Sequence, residues 1–218
     1  MSKVRLRYSK TGKAKYISHL DLTATIRRAL LRAGVRLKYS EGFNPHPYIS
    51  VALPLPVGCA SVCELMDVGL AEDAPYGDII GAANASLPEG IHILDAYAPE
   101  RKFSEIAWIE LSGVFDYDSG APRGAAEKLA ECFSREKIII QKKTKRGAAE
   151  LDIAEYIKHI TFSGESSIML SCRVSAQNPS INTDNILSAL DGGYCLLRPD
   201  YSAFTRLEKY DAEMKVFR

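Results

Sequence analysis

Two histidines are the side chains in this sequence best suited to move a proton near neutral pH. His19 lies at the predicted start of a helix, two residues before Asp21, and His46 lies between Pro45 and Pro47. If the fold brought the two rings together, one could act as base and the other as acid in metal-independent RNA cleavage. The alternative is that His19 hydrogen-bonds the following loop and His46 packs between its prolines. The sequence leaves both interpretations open.

His46 belongs to a polar, proline-containing loop at residues 39–47, which reads Tyr-Ser-Glu-Gly-Phe-Asn-Pro-His-Pro. The glycine allows a positive φ, and each proline favours extended backbone in the residue before it. A loop stiffened in this way can present an amide, an imidazole and an aromatic ring to a ligand. A purely structural turn is the alternative. The predicted substrate-binding residues are Asp21, Tyr39, Ser40, Gly42, Phe43 and Asn44.

The net charge of +1 conceals two basic segments. Residues 1–50 hold eleven Lys and Arg against two acidic residues, and residues 135–146 hold six against one, whereas residues 51–134 are acidic. Such basic segments can form a positive surface that binds a polyanion. The alternative is that they form a solvated face with no specific partner. Aromatic rings around the loop, Tyr48 among them, could stack on unpaired bases. The predicted nucleic-acid-binding residues are Lys13, Lys15, Arg27, Arg28, Arg32, Lys142, Lys143, Lys145 and Arg146.

The sequence predicts no other chemistry. The five cysteines are scattered and odd in number, which argues against a disulfide framework. Cys59 and Cys63 have the spacing that begins an iron–sulfur triad, but Met66 stands where the third cysteine is needed. No phosphate-binding loop, nucleophile elbow or zinc-protease motif occurs. We therefore expect neither a metal nor a cofactor in this chain.

The elements that must position these residues follow from hydrophobic periodicity. Residues 3–8 alternate charged and apolar side chains and predict a strand. A helix is expected between Ser18, its N-cap, and Gly34, its C-cap, with Leu20 on the face that packs against the core. The other elements predicted in this half are strands at 35–39, 62–70 and 91–98 and a helix at 74–86.

The second half repeats much of this pattern after a linker at residues 99–102. Its predicted strands are 106–115, 138–142, 156–162, 168–174 and one that begins near Tyr194. Its predicted helices are 122–135 and 182–190, and a basic turn is expected at 143–151. We therefore predict an α+β fold of two ferredoxin-like (βαββαβ) domains in tandem, the second with an extra strand. The predicted domains are residues 1–99 and 103–218.

Two sequence motifs are long enough to indicate a family, namely Ser18-His19-Leu20-Asp21 and the nine-residue loop. With Pro54-Leu55-Pro56-Val57-Gly58 downstream, they resemble the radical-SAM-linked family of uncharacterised bacterial proteins, whose members occur alone or fused behind a radical-SAM enzyme. The resemblance is strongest over residues 3–70 and departs at Tyr48, where a basic residue is expected. It implies a radical-SAM partner that carries the iron–sulfur cluster and S-adenosylmethionine. The order of elements is also similar to that of the CRISPR repeat-associated RNA-processing proteins.

The residues and the resemblance together predict an RNA-binding accessory protein that presents an RNA substrate, rRNA or tRNA, to a radical-SAM partner enzyme. Two alternatives stay open. One is a metal-independent endoribonuclease that uses His19 and His46, and the other is a protein-docking subunit that uses the acidic residues 51–134. No apolar run approaches the roughly 20 residues that span a bilayer, and the basic N-terminus is unlike an export signal. A cytoplasmic protein without membrane contact is therefore expected.

Overall fold

The computed structural model describes residues 2–144, 147–191, 195 and 197–218. Within these residues the architecture is mixed α+β, with four α-helices and antiparallel strand pairing. The chain divides into two compact units. Unit 1 is the chain up to Phe103 together with Arg218, and unit 2 is Ser104–Phe217.

Unit 1 has the element order that the sequence predicts, β-α-β-β-α-β. Its strands pair in the order β4-β1-β3-β2, and every pair is antiparallel. The elements are β1 (Ser2–Lys10), α1 (His19–Arg32), β2 (Ile49–Val51), β3 (Ala60–Leu70), α2 (Tyr76–Asn84) and β4 (Ile91–Tyr97). A short 3₁₀-helix, Gly12–Tyr16, connects β1 to α1.

Helix α1 begins and ends where its sequence signals indicate. Ser18 is the N-cap, since its Oγ accepts the Asp21 N–H at 3.1 Å and donates to the Asp21 carboxylate at 2.7 Å. At the other end, Gly34 has φ +76°, and the Val35 N–H donates to the Leu30 carbonyl at 3.0 Å. This left-handed residue with its backward bond is the usual glycine stop of a helix. Both predicted caps are confirmed.

The predicted strand at residues 35–39 is wrong. These residues form only isolated bridges, Leu37 with Leu70 and Tyr39 with Pro47, and the strand next to β3 is β2 instead. The reason is competition for one edge. Because β2 lies opposite residues 66–68 of β3, the earlier segment can pair only with the end of that strand. A local pattern of apolar residues does not reveal which of two segments wins an edge.

Unit 2 contains four strands in one sheet, a separate hairpin and two helices. The sheet order is β10-β5-β9-β8, and β6 pairs with β7. Apart from the β6–β7 hairpin, unit 2 has the same strand order as unit 1, namely the last, first, third and second strand. The elements are β5 (Trp108–Asp116), α3 (Ala125–Phe133), β6 (Ile139–Thr144), β7 (Gly147–Asp152), β8 (Ile157–Ser163), β9 (Ile168–Ser175), α4 (Thr183–Asp191) and β10 (Tyr201–Tyr210).

Two predictions in unit 2 are corrected. The basic turn expected at 143–151 is largely the strand β7, which pairs with β6 through partners such as Ile140 and Leu151. The end of β7 alternates apolar Ala149 and Leu151 with charged Glu150 and Asp152, which is the period of a strand, whereas the lysines before it favour a turn. The last strand begins at Tyr201, and Tyr194 lies outside the described residues.

The cysteines occupy packing positions. Cys59, Cys63, Cys172 and Cys195 are buried, Cys132 is partly exposed, and no disulfide joins any of these described cysteines. Burial raises the pKa of the Cys172 thiol to about 12. The pKa of the Cys195 thiol is also raised to about 12, mainly by burial and secondly by a hydrogen bond with Cys132. The reactive thiolate is therefore scarce in these two residues at neutral pH.

Thiol labelling of the native protein at pH 8 should therefore show one fast-reacting cysteine, with the other four reacting only after unfolding in urea. A disulfide reagent that releases a coloured thiol measures both phases. The Cys132→Ser variant should lose the fast phase and keep the slow one. Five equally fast thiols in the folded protein would contradict the burial of these side chains.

Candidate functional site

The loop at residues 40–46 is closed at its base by one serine. The Ser40 N–H donates to the His46 carbonyl at 2.8 Å, and the His46 N–H donates to the Ser40 Oγ at 2.9 Å. Tyr39 and Pro47 form a bridge directly outside this pair. Gly42 has φ +114°, a conformation that favours glycine. The loop is thus held by hydrogen bonds as well as by its prolines, and Ser40 is the residue that holds it.

The tip of this loop presents an aromatic ring to solvent. Phe43 has a relative exposure of 111%, and Asn44 and His46 beside it are also exposed. Tyr39 and Tyr48, on either side of the loop, are both more than one-third exposed. Exposing a whole phenylalanine costs hydrophobic free energy, so this side chain contributes nothing to the core. The geometry suits a ring that contacts a partner.

His19 and Asp21 lie at the start of α1 and have different surroundings. Asp21 is exposed and is held by Ser18 in the helix cap. His19 is half-buried, and its Nδ1 is inaccessible to solvent without a hydrogen-bond partner among the described residues. Across those residues, no hydrogen bond or ion pair joins His19 to His46.

The three arginines of α1 differ in solvent exposure and in hydrogen bonding. Arg28 is exposed, and Arg27 is half-buried with an Nε that has no partner in the described part of the chain. Arg32 is exposed and donates to the Ser86 carbonyl at 3.0 Å. Leu20, predicted to face the core, is instead 77% exposed, so that prediction is wrong. It lies in the first turn, where Leu22 and Ile26 already fill the buried side.

The cations of the connecting turn lie near an exposed aromatic ring. Lys13 is exposed, and the Lys15 ammonium lies 5.1 Å from the centre of the Tyr16 ring. The Lys15 carbonyl accepts the Gly58 N–H at 2.9 Å, which fixes the turn against the segment before β3. A cation over an aromatic face is a modest attraction at an exposed site. Lys13 and Lys15 therefore remain placed to meet an anion.

The second basic segment is described only in part. The Lys142 ammonium donates to the Ser180 carbonyl at 2.8 Å, so this predicted phosphate contact is already hydrogen-bonded within unit 2. Lys143 lies in β6. Lys145 and Arg146 lie outside the described residues.

Several basic residues of the first segment are not available to a partner. Arg5 is buried, and its guanidinium donates twice to the Asp67 carboxylate, at 2.7 and 2.9 Å. Lys10 is buried and donates to the Ile17 carbonyl at 2.8 Å. Burial lowers the pKa of its ammonium, against the opposing effect of Glu64. Charge counted along the sequence therefore overstates the positive surface. Strand alternation could have indicated that Lys10 turns inward, but not that Arg5, on the other face of β1, is buried.

Two cavities are present on the described surface. The larger, of about 540 Å³, lies at the start of α3 beside Arg123, Glu127 and Glu165, and none of the predicted site residues lines it. The smaller, of about 190 Å³, lies in unit 1 directly after the loop. It is lined by Lys3, Pro47, Tyr48, Ile49, Ser50, Asp67 and Gly69.

The described residues also bear on metal binding and on membrane-spanning helices. Among them, no group of three or more His, Cys, Asp or Glu side chains is arranged to hold a metal ion. No helix in that part of the chain is both long enough and apolar enough to cross a membrane.

Comparison with solved structures shows similarity of fold. A chain of a Cbf5-Nop10-Gar1 complex is 12% identical over 94% of this chain and 48% of that chain, with a TM-score of 0.52. A chain of an H/ACA RNP bound to a substrate RNA containing 2'-deoxyuridine is 12% identical over 98% of this chain and 48% of that chain, with a TM-score of 0.42. This chain thus spans about half the length of each. At such identity the likeness describes the fold alone.

Comparisons with known sequences give two further results. No curated protein matches the chain. Residues 3–183 match the model of a family described as "Uncharacterized protein conserved in bacteria (DUF2344)".

Proposed function

The chain belongs to the conserved bacterial family DUF2344, and we propose that it is an RNA-binding accessory protein in the cytoplasm that presents an RNA substrate to a radical-SAM partner enzyme. The observation that carries the RNA-binding part is the fully exposed Phe43 at the tip of a closed loop. The partner part is supported by the sequence motifs of that loop. The iron–sulfur cluster and S-adenosylmethionine belong to the partner in this proposal.

The loop has the features of a stacking platform for unpaired bases. Every base has a π-face, so an exposed aromatic ring binds single-stranded RNA with little dependence on sequence. Ser40 closes the loop before any ligand arrives, so little conformational freedom is lost when Phe43 meets a base. Asn44 and His46 are exposed in the same loop and offer polar groups to a bound nucleotide.

The fold supports the proposal through its strand order. We infer that each unit is a ferredoxin-like domain, with the tandem boundaries near residues 99 and 103. Both units share the strand order last-first-third-second, and the β6–β7 hairpin is the addition to the second. Such a sheet covered by helices is a rigid base for loops that carry function.

Phosphate binding is assigned to α1 and the turn before it. Replacing Arg27, Arg28 and Arg32 together with glutamine should lower RNA affinity and flatten its dependence on salt, because each lost phosphate contact on single-stranded RNA reduces the slope of log K against log salt by about 0.7. Fluorescence anisotropy across a salt series measures this. The matched control replaces Arg123, Lys128 and Lys215, which are exposed in unit 2 outside the second basic segment. An unchanged slope in the α1 variant would remove the phosphate role.

The function itself is tested by binding to total cellular RNA, with bound RNA sequenced at increasing salt. Enrichment of one RNA, with affinity that falls steeply as salt rises, supports the proposal and identifies the substrate. A radical-SAM enzyme that modifies this RNA faster when the protein is added supports the accessory role. Absence of RNA binding at low salt overturns the proposal. Co-purification with a protein that survives ribonuclease and high salt would then support the docking alternative.

A further inference from the structure

The small cavity of unit 1 continues directly from the closed loop. The bridge between Tyr39 and Pro47 marks the outer end of that loop, and Pro47 and Tyr48 then line the cavity. Tyr48 follows Phe43 by five positions, so their Cα atoms lie no more than about 18 Å apart, at roughly 3.6 Å for each residue of extended chain. A short strand of RNA that contacts Phe43 can therefore reach this cavity as well.

The floor of the cavity is built on strands β1, β2 and β3. Antiparallel register places Ser50 opposite Asp67, and Gly69, two residues along β3, lies opposite Lys3. The Gly69 N–H donates to the Tyr48 carbonyl at 2.7 Å. A glycine inside a strand often marks a place where another group approaches the backbone closely. The volume of about 190 Å³ is below the roughly 300–1,000 Å³ of pockets for drug-sized ligands, so the cavity has room for one flat ring system.

The acidic side chain that lines the cavity is already compensated. Asp67 accepts two hydrogen bonds from Arg5, at 2.7 and 2.9 Å, and Arg5 is 1% exposed. This fork occupies the side of the carboxylate on which both oxygens accept together, so the acceptor positions that remain diverge. Asp67 therefore cannot accept two parallel N–H donors from the edge of one base, and its charge is balanced within the protein.

Two lysines beside the cavity are open to an anion. Lys3 lines it, and Lys38 lies next to its floor, because the Lys38 N–H donates to the Gly69 carbonyl and the Lys38 carbonyl accepts the Tyr48 N–H, both at 2.9 Å. Both lysine side chains are exposed, and neither has a hydrogen bond or an ion pair within the described residues. With Asp67 compensated by Arg5, the charge at the cavity is positive and complements a phosphate.

We propose that this cavity is a second nucleotide subsite for the RNA that Phe43 binds. Tyr48 is 45% exposed and stacks on the base of a nucleotide near the one on Phe43, while Lys3 and Lys38 contact adjacent phosphates. Every base has a π-face, so the subsite accepts all four bases. The two rings hold one strand at two points, and the RNA between them is single-stranded. The subsite rests on the proposed RNA-binding function and adds a second contact to it.

Anisotropy of labelled uracil and adenine octamers with the full chain tests the stacking contact. Tyr48→Ala should weaken binding of both octamers about tenfold, the effect of one lost stacking contact. Tyr48→Trp keeps a stacking face and should restore binding. Tyr76→Ala removes an exposed tyrosine of α2 and, as the control, should leave both affinities unchanged. Both tyrosines are exposed, so melting curves of these variants should match that of the wild type.

The two lysines are tested by the dependence of octamer binding on salt. Replacing Lys3 and Lys38 together with glutamine should reduce the slope of log K against log salt by about 1.4, because each phosphate contact on single-stranded RNA contributes about 0.7. The same replacement of Lys128 and Lys215, which are exposed in unit 2, should leave the slope unchanged. A wild-type slope in the variant of Lys3 and Lys38 would overturn their contact with phosphate.

Failure of the subsite can be told from failure of the proposed function. If Phe43→Ala weakens octamer binding and Tyr48→Ala does not, the cavity is not a subsite and RNA binding stands. Amide NMR decides the same question by position. Shifts at Ser50 and Gly69 on addition of the uracil octamer support the subsite, whereas shifts confined to residues 40–46 overturn it. A wild-type chain that binds neither octamer at low salt overturns the proposed function, and the subsite with it.

Discussion

Replacing Phe43 with alanine is expected to weaken binding of single-stranded RNA by about tenfold or more without lowering the melting temperature. Stacking of one base on an aromatic ring contributes about 1–3 kcal/mol, and each 1.4 kcal/mol is a factor of about ten in affinity. The side chain is fully exposed, so its removal leaves no cavity in the core. Anisotropy of a labelled uracil-rich RNA at fixed salt measures the loss.

Two variants control for effects other than stacking. Tyr201→Ala removes an exposed aromatic ring in unit 2 and should leave affinity unchanged. Phe43→Trp keeps a stacking face and should retain binding. If Phe43→Ala bound RNA as tightly as the wild type, the loop would have no stacking role, and the argument for RNA would reduce to the cations of α1.

The sequence predicts well the parts of this site that are encoded locally. The N-cap at Ser18 and the glycine stop at Gly34 each depend on a few neighbouring residues, and both are present in the structure. The stiff loop is also local, because its glycine and prolines restrict the backbone directly. That Phe43 is not a core residue could be inferred from its place in a polar run.

What the sequence does not show depends on pairing between distant segments. The cavity combines Lys3, Tyr48 and Asp67, which meet only through the register of β1, β2 and β3. Asp67 pairs with Arg5, which lies 62 residues away along the chain. The sequence counts Arg5 as surface charge, because it alternates with the apolar residues of β1 and nothing local reveals the carboxylate that β3 brings opposite it.

Asp67→Ala should reduce the free energy of unfolding by about 3–5 kcal/mol, because it removes the carboxylate that accepts two hydrogen bonds from the buried Arg5 guanidinium. That is a large fraction of the roughly 5–15 kcal/mol that stabilises a typical protein. Urea denaturation measures it. The matched control is Arg36→Ala, which breaks the exposed pair of Arg36 with Glu72 and should cost less than about 1 kcal/mol.

The paired replacement Arg5→Met with Asp67→Leu separates stability from recognition. Removing both charges leaves no buried guanidinium at this position, so the double variant should recover most of the stability that Asp67→Ala loses. It should also fold and bind RNA through Phe43 as the wild type does. If Asp67→Ala were as mild as Arg36→Ala, the pair of Arg5 with Asp67 would contribute no more to stability than an exposed ion pair.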